Sequence, residues 1–87
     1  MVRNINLQWG IVENIRQETQ VTTAFPTSFS KNNFGVFPVI FNWDSVSDTI
    51  SAYCVSKSLT EAVLMADTGQ GVIGTNYANI LYLAIGQ

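Results

Sequence analysis

Ten residues near the C-terminus, DTGQGVIGTN at 67–76, place three glycines at the spacing of a dinucleotide-binding fingerprint. Gly69, Gly71 and Gly74 give G-x-G-x-x-G, which cradles a pyrophosphate only where a strand feeds a glycine turn that opens a helix. The fingerprint also needs an acidic residue roughly 20 positions further on to hold the ribose. Only thirteen residues follow Gly74, and none of them is Asp or Glu. We therefore predict no bound cofactor and interpret the glycines as a turn that links two strands.

Carboxylate pairs are the second arrangement that could do chemistry. Asp44 and Asp48 flank the polar loop DSVSD, while Glu61 and Asp67 enclose the segment EAVLMAD. A glycosidase needs two carboxyl groups about 5 to 9.5 Å apart across the scissile bond, and no other feature of the sequence indicates a deep cleft. Calcium binding by the same acids lacks the dense D-x-D-x-D-G ligand pattern. The chain also has no histidine, the commonest general base and zinc ligand. We predict a binding protein, not an enzyme, with no catalytic residue and no metal site.

Sugar binding is the chemistry that the remaining polar clusters favour. Trp43 ends an apolar stretch just before the DSVSD loop, so a ring face for C–H groups would lie beside fixed acceptors for hydroxyls. Two more clusters combine amides with an aromatic ring, one in a turn and one just before the last strand. The candidate ligand-binding residues are Trp43, Asp44, Asp48, Asn32, Asn33, Phe34, Asn76 and Tyr77. The alternative at each position is an ordinary turn, with Trp43 partly buried.

Composition sets limits on where such a site could lie. The 87 residues make one domain, 1–87, in which 47% are apolar and only 11% are charged, against about 25% charged in an ordinary soluble domain. So few charges indicate that part of the surface is hidden in an oligomer or a larger parent protein. No apolar run reaches the roughly 18 residues of a membrane span, and the four basic residues are scattered. We expect neither membrane insertion nor nucleic-acid binding. The single cysteine, Cys54, is interpreted as a small buried hydrophobe.

The elements that must position these residues are short strands. Val, Ile, Thr, Phe and Tyr are broken at short intervals by Asn, Gly, Ser, Asp and Pro, which is typical of a small all-β sandwich. The predicted strands are Ile5–Val12, Val21–Phe25, Val36–Trp43, Thr49–Ser58, Ala62–Ala66 and Ile80–Gly86. Alternation in the third strand puts Val36, Pro38 and Ile40 on one face and Phe37, Val39 and Phe41 on the other. Both faces are apolar, so both should be covered, the second by a neighbouring subunit.

A helix is the competing prediction for one segment. Ser58-Leu59-Thr60-Glu61 has the spacing of a capping box, and EAVLMAD contains good helix formers. The stretch is only about two turns long, at the bottom of the usual range, and strand-like segments flank it. The all-β interpretation is preferred, with the helix as the alternative.

Four stretches in a fixed order carry a family resemblance. They are LQWGIV at 7–12, VTTAFPTSFS at 21–30, FPVIFNW at 37–43 and ILYLAIGQ at 80–87. Together they resemble the gp53-like tail-fibre C-terminal family, the tip domain of bacteriophage tail fibres. A fainter similarity links the chain to H-type lectins. Residues 44 to 79 resemble the family only in general texture.

The resemblance implies a six-stranded antiparallel β-sandwich assembled as a homotrimer at the end of a fibre. It implies a receptor-binding tip in the virion, made in the cytoplasm of the bacterial host, that recognises a surface glycan such as lipopolysaccharide or an outer-membrane protein. It places Trp9 in core or inter-subunit packing, and Phe25, Phe29 and Tyr82 in the scaffold. A trimerisation cap that binds no receptor and a polysaccharide depolymerase are the alternatives.

Overall fold

The computed structural model describes residues 5–44, 50–69, 74 and 76–87. Within them the chain forms six strands and no helix. The strands are β1 (Asn6–Arg16), β2 (Thr19–Ala24), β3 (Asn33–Trp43), β4 (Ser51–Lys57), β5 (Glu61–Asp67) and β6 (Tyr77–Gly86). The predicted all-β class and the number of strands are confirmed.

The strands pair into two antiparallel three-stranded sheets. Sheet A has the order β1-β6-β3, and sheet B has the order β2-β5-β4. The two-residue turn Gln17–Glu18 carries the chain from sheet A to sheet B, and Glu18 adopts a left-handed φ of 63° there. Because every neighbouring pair runs antiparallel, the strands begin and end at two opposite ends of an elongated sandwich.

The core lies between the inner faces of the two sheets. Its largest fully buried side chains are Tyr82 and Ile80 from β6 and Leu64 from β5. Phe25 and Phe29, in the connection from β2 to β3, are also buried, with ring centroids 5.3 Å apart in an edge-on arrangement. The scaffold roles expected for Phe25, Phe29 and Tyr82 are confirmed. The core option for Trp9 is wrong, because that side chain is 66% exposed on the outer face of sheet A.

Two of the predicted strands were too short at an end that carries polar residues. β1 continues through Glu13 and Asn14 to Arg16, beyond the expected end at Val12. The extension depends on a bulge between Val12 and Ile15, where Asn14 takes a φ of 58° and its N–H donates to Asn79 Oδ1 at 2.9 Å. β6 likewise starts at Tyr77 instead of Ile80. Most residues in these two extensions are polar, so the sequence shows no alternation of apolar and polar residues there.

The segment EAVLMAD forms β5 and not the alternative helix. Ala62, Leu64 and Ala66 are completely buried while the residues between them are not, which is the period of a strand. The Ser58 hydroxyl accepts the N–H groups of Thr60 at 3.2 Å and Glu61 at 3.1 Å. The capping chemistry is therefore present, but it closes the turn between β4 and β5 because sheet pairing on both sides of β5 outweighs local helix propensity.

Candidate functional site

The two ends of the sandwich divide the candidate residues into two groups. We call the end that holds Ile5–Asn6, the 25–32 connection, the 58–60 turn and Gln87 the termini end. The opposite end, with residues 17–18, 44, 50, 67–69, 74 and 76–77, is the distal end. Asn33 pairs with Gly86 and Trp43 with Ala78. Gly86 and Tyr77 are the two ends of β6, and nine steps of about 3.3 Å each along the strand place them about 30 Å apart. One candidate cluster is therefore far from the other two.

The distal end brings two sequence-distant clusters together. Tyr77 donates its N–H to Asp44 Oδ1 at 3.1 Å, and the Asp44 N–H donates to the Tyr77 carbonyl at 3.3 Å. Trp43 is half-buried and packs against the core, so its ring is held by the scaffold beside this pair. Asp48 lies outside the described residues. The structure thus joins the adjacent residues Trp43 and Asp44 to Tyr77, which lies more than thirty positions further along the chain.

Tyr77 is the exposed aromatic of this cluster, and its position is fixed from the neighbouring strand. The Arg16 Nη2 donates to the Tyr77 hydroxyl at 2.9 Å, and the Arg16 guanidinium carbon also lies 5.5 Å from the centre of the Tyr77 ring. Tyr77 keeps 37% of its surface exposed. A cation over one region of a ring leaves an ordered aromatic surface beside a hydrogen-bonding carboxylate, which is the combination that a hydroxyl-rich ligand needs.

The side chain and the carbonyl of Asn76 both make hydrogen bonds within the protein. Its side-chain Nδ2 donates to Oε1 of the buried Gln17 at 3.4 Å, and its carbonyl accepts the Gln17 N–H at 3.1 Å. Gly74 packs closely on the same glutamine, because a Cβ at that position would overlap the Gln17 side chain. Of the opening fingerprint, Gly69 has the positive φ of 83° that a turn requires, while Gly71 lies outside the described residues. β5 ends before the glycines and β6 begins after them, as predicted for a turn between strands.

At the termini end, the two asparagines serve the scaffold. Asn33 Nδ2 donates to the Ser58 carbonyl at 2.9 Å, and its Oδ1 accepts the Gly35 N–H at 3.1 Å, so its amide joins sheet A to the turn of sheet B. Asn32 Nδ2 donates to Gln87 Oε1 at 2.8 Å. Phe34 is 51% exposed and is the member of this cluster with a surface to offer a ligand.

Several residues of the motifs that carry the family resemblance have a defined role in packing or hydrogen bonding within the fold. The buried side-chain amide of Gln8 pairs with Thr27 in both directions, donating to its carbonyl and accepting its N–H. A Cβ on Gly10 would overlap the Tyr82 ring, and a Cβ on Gly86 would overlap the Asn32 carbonyl and the Phe29 ring. These motif positions build the scaffold.

The outer face of sheet A is an unbroken apolar surface. Cross-strand rows run Leu7–Ile85, Trp9–Leu83–Phe37 and Ile11–Leu81–Val39, with Phe41 beyond them. Exposure reaches 66% at Trp9 and 57% at Phe37. The alternation predicted for β3 is confirmed, since Val36 is buried and Pro38 and Ile40 are half-buried, whereas Phe37, Val39 and Phe41 are exposed. A surface of this kind marks an interaction site on a soluble protein.

A groove that the sequence did not reveal opens at the distal end of sheet B. Its volume is about 330 Å³, and the described residues that line it are Ile50, Ser51, Asp67, Thr68 and Gly69. Only Asp67 had been considered, as one of a carboxylate pair with Glu61. Those two residues occupy opposite ends of β5, about 20 Å apart at 3.3 Å per residue, so within one chain they cannot flank one glycosidic bond. The residues that line the groove come from two strands, and only the pairing of Ser51 with Asp67 shows that they lie side by side.

Other chemistry is sparse in the described part of the chain. No group of three His, Cys, Asp or Glu side chains there could hold a metal ion, and no helix among those residues is long and apolar enough to cross a membrane. Cys54 is half-buried and directed toward the core. Burial raises the pKa of its thiol, while nearby Lys57 and a hydrogen bond with the Ser56 backbone oppose that rise, so this thiol is a poor nucleophile at neutral pH.

Comparisons with known proteins agree with this fold. Residues 6–87 match the model of the C-terminal region of putative gp53-like tail fibre proteins. Among curated proteins no sequence matches. An N-truncated R2-type pyocin tail fibre is similar with a TM-score of 0.78 and 18% identity, covering 95% of this chain and 30% of that one.

Two further solved structures are similar. A Pseudomonas aeruginosa R1 pyocin fibre C-terminal fragment has a TM-score of 0.72 at 22% identity, covering 95% of this chain and 23% of that one. An N-truncated R1-type pyocin tail fibre has a TM-score of 0.68 at 23% identity, with 95% and 71% covered. This chain thus spans less than a third of the first two fibres. All three are tail fibres, and the similarity to H-type lectins stays a prediction.

The family match covers nearly the whole chain, and the fold, motif glycines and amide pairings fit one architecture. The chain belongs to the gp53-like tail-fibre C-terminal family.

Proposed function

We propose that this domain is the receptor-binding tip of a phage or phage-like tail fibre, and that its distal end binds a bacterial surface glycan or outer-membrane protein during host adsorption. The protein would act in the virion, after synthesis in the host cytoplasm, and would bind without catalysis. The rest of the fibre is its structural partner.

One observation carries this proposal: Trp43, Asp44 and Tyr77 converge at the end of the sandwich farthest from Ile5. A tip that joins a fibre through its N-terminal side presents its opposite end to the cell. The convergence also supplies suitable chemistry, since a fixed aromatic ring and a carboxylate match the C–H faces and hydroxyls of sugars. The Asn32–Phe34 cluster lies beside the chain termini, where the fibre shaft would be.

Assembly as a homotrimer is the second part of the proposal. The apolar outer face of sheet A supports self-association, because exposed rows such as Trp9–Leu83–Phe37 would gain roughly 25 cal/mol for each Å² removed from water. The threefold number rests on the family resemblance. A shallow distal site would bind weakly by itself, and repetition on three chains and several fibres would add avidity.

Removal of one aromatic side chain tests whether the distal end is needed for adsorption to host cells. Tyr77→Ala removes an exposed ring but keeps the backbone bonds to Asp44, so we expect an unchanged trimer and at least about tenfold weaker binding to host cells. Phe34→Ala is the matched control, since it removes an exposed aromatic of the termini end. Binding is measured with fluorescent domain on a panel of bacterial strains, and oligomeric state by sedimentation.

The two variants also separate the alternative sites. Loss of binding in Phe34→Ala alone would move the site to the termini end. Full binding in both variants would favour a cap whose function is to register three fibre chains, a role that the apolar face of sheet A supports by itself. Shortened fragments from incubated host polysaccharide would contradict binding without catalysis.

A further inference from the structure

The groove at the distal end of sheet B is lined by chemically mixed groups. Ile50 supplies an aliphatic surface, Ser51 a hydroxyl, Asp67 a carboxylate, and Thr68 and Gly69 the start of the loop after β5. Its volume of about 330 Å³ is at the lower end of the about 300 to 1,000 Å³ found for small-molecule sites. The space suits one compact ligand and not an extended chain.

The walls of this groove are held in place by the protein. The Asp67 Oδ1 accepts the Gly69 N–H at 2.7 Å, and the Ser51 hydroxyl donates to the Asp67 carbonyl at 3.4 Å. From the other edge of sheet B, Glu18 Oε1 accepts the Thr68 N–H at 2.6 Å and its hydroxyl at 2.5 Å. A ligand would therefore meet donors and acceptors whose ordering has already been achieved on folding, which favours binding.

Charge decides what kind of ligand fits. Among the described residues that line the groove, Asp67 is the one that carries a carboxylate. A carboxylate accepts strong hydrogen bonds from ligand hydroxyls but repels phosphate and carboxylate groups at close range. No Lys or Arg lines the groove among the described residues, so an anionic ligand finds no countercharge there.

We propose that this groove is a specificity subsite that binds one uncharged sugar unit, with vicinal hydroxyls on the Asp67 carboxylate and the Ser51 hydroxyl, and its C–H face on Ile50. The inference deepens the proposed receptor-binding function and rests on it. It directs the distal end of sheet B toward the neutral portion of a surface glycan, separate from the Trp43–Tyr77 cluster at the end of sheet A.

A titration of the 87-residue chain tests the subsite directly. Methyl glycosides of glucose, galactose, mannose and N-acetylglucosamine are added to the ¹⁵N-labelled protein, with glucuronic acid as the anionic probe. We expect at least one neutral glycoside to shift the amide signals of Ser51, Asp67 and Gly69, and glucuronic acid to leave them unchanged.

Asp67→Asn and Glu61→Gln form a matched pair, because each removes one carboxylate from an end of β5. The Asn amide oxygen can still accept the Gly69 N–H, so the loop start is preserved. We expect affinity for the neutral glycoside to fall at least about tenfold in Asp67→Asn, through loss of a charged acceptor, and to stay within about twofold in Glu61→Gln.

Three results would overturn the subsite: no neutral glycoside shifts these signals, Asp67→Asn binds as tightly as wild type, or only glucuronic acid shifts them. Cell adsorption of the wild-type chain is measured in parallel. Adsorption without groove shifts would refute the subsite and leave the receptor-binding function standing. Failure of both measurements would refute the two proposals together.

Discussion

The outer faces of the two sheets differ in composition although the same alternation builds both. On sheet A the outward rows combine Trp9, Leu83 and Phe37 across three strands. On sheet B the outward row pairs Gln20 with Met65 and Tyr53, and the next places Thr22 beside Val63. One face resembles a core cut open, and the other is a mixed surface of the usual soluble kind.

This difference identifies the source of the apolar excess in the composition. The sandwich closes its core between the two inner faces, as the complete burial of Leu64 and Ile80 shows, without using the rows of sheet A. The excess is therefore surplus to the fold of a single chain. It supports the proposal that the inner face of sheet A stabilises the fold and the outer face of the same sheet stabilises an assembly.

The largest effect should come from a charge on the outer face of sheet A. Trp9→Glu in three chains would bury three carboxylates in a proposed apolar interface, each at a cost of several kcal/mol. We expect the proposed trimer to dissociate to monomers at micromolar concentration, measured by sedimentation. Circular dichroism should still show a folded β-sandwich. The paired change Thr22→Glu on sheet B should leave assembly intact, and dissociation in both variants would contradict the contrast between the faces.

A smaller effect should follow from a change at the edge of the core. Gly86→Ala would press a methyl group against the Asn32 carbonyl and the Phe29 ring. Overpacking of this kind lowers the free energy of unfolding by about 1 to 3 kcal/mol. Urea titration measures the loss, and sedimentation of the folded protein should show unchanged assembly. Wild-type stability in this variant would mean that the termini end is looser than the close packing indicates.

A still smaller loss is expected where one amide joins the two sheets. Asn33→Ala removes the bond to the Ser58 carbonyl and the bond from the Gly35 N–H. One exposed and one partly buried bond of this type should contribute about 1 to 2 kcal/mol together. Thermal unfolding checks the value, with Asn32→Ala as a comparison that removes one side-chain bond. An Asn33 variant as stable as wild type would show that the inter-sheet bond is dispensable.

The smallest effect should come from the outer face of sheet B. Tyr53→Thr keeps a strand-forming residue and removes an exposed ring whose hydroxyl lies 3.0 Å from the Met65 sulfur. We expect the free energy of unfolding to stay within about 0.5 kcal/mol, with no change in sedimentation. A clear loss of assembly in this variant would mean that sheet B also carries a subunit interface.

The fold was largely predictable because strand alternation is a local signal. The β3 pattern separated Val36 from Phe37 correctly, since successive side chains of a strand point to opposite faces. The polar second half of β1 was missed because a bulge at Asn14 sustains it. The helix alternative for EAVLMAD arose because propensity ignores the partners on both sides of β5.

The candidate site was predictable only in part. Trp43 and Tyr77 were each chosen from their own neighbours, and nothing local indicated that they lie together at one end. Asn33, which the sequence offered as a ligand contact, also bridges the two sheets, and its own neighbours in the sequence gave no sign of that bond. The groove beside Asp67 requires the register of β4 against β5, which no local pattern encodes.

The amino-acid sequence by itself determined the strand periods and a family motif whose glycines and Gln8 fit a single packing arrangement. Those features depend on neighbours within a few residues, or on residue types that only one backbone geometry accepts. The tertiary structure decided which apolar rows form the core and which remain outside, and which loops share the distal end. Such choices depend on strand order and register, because contacts between distant segments exist only after the sheets have paired.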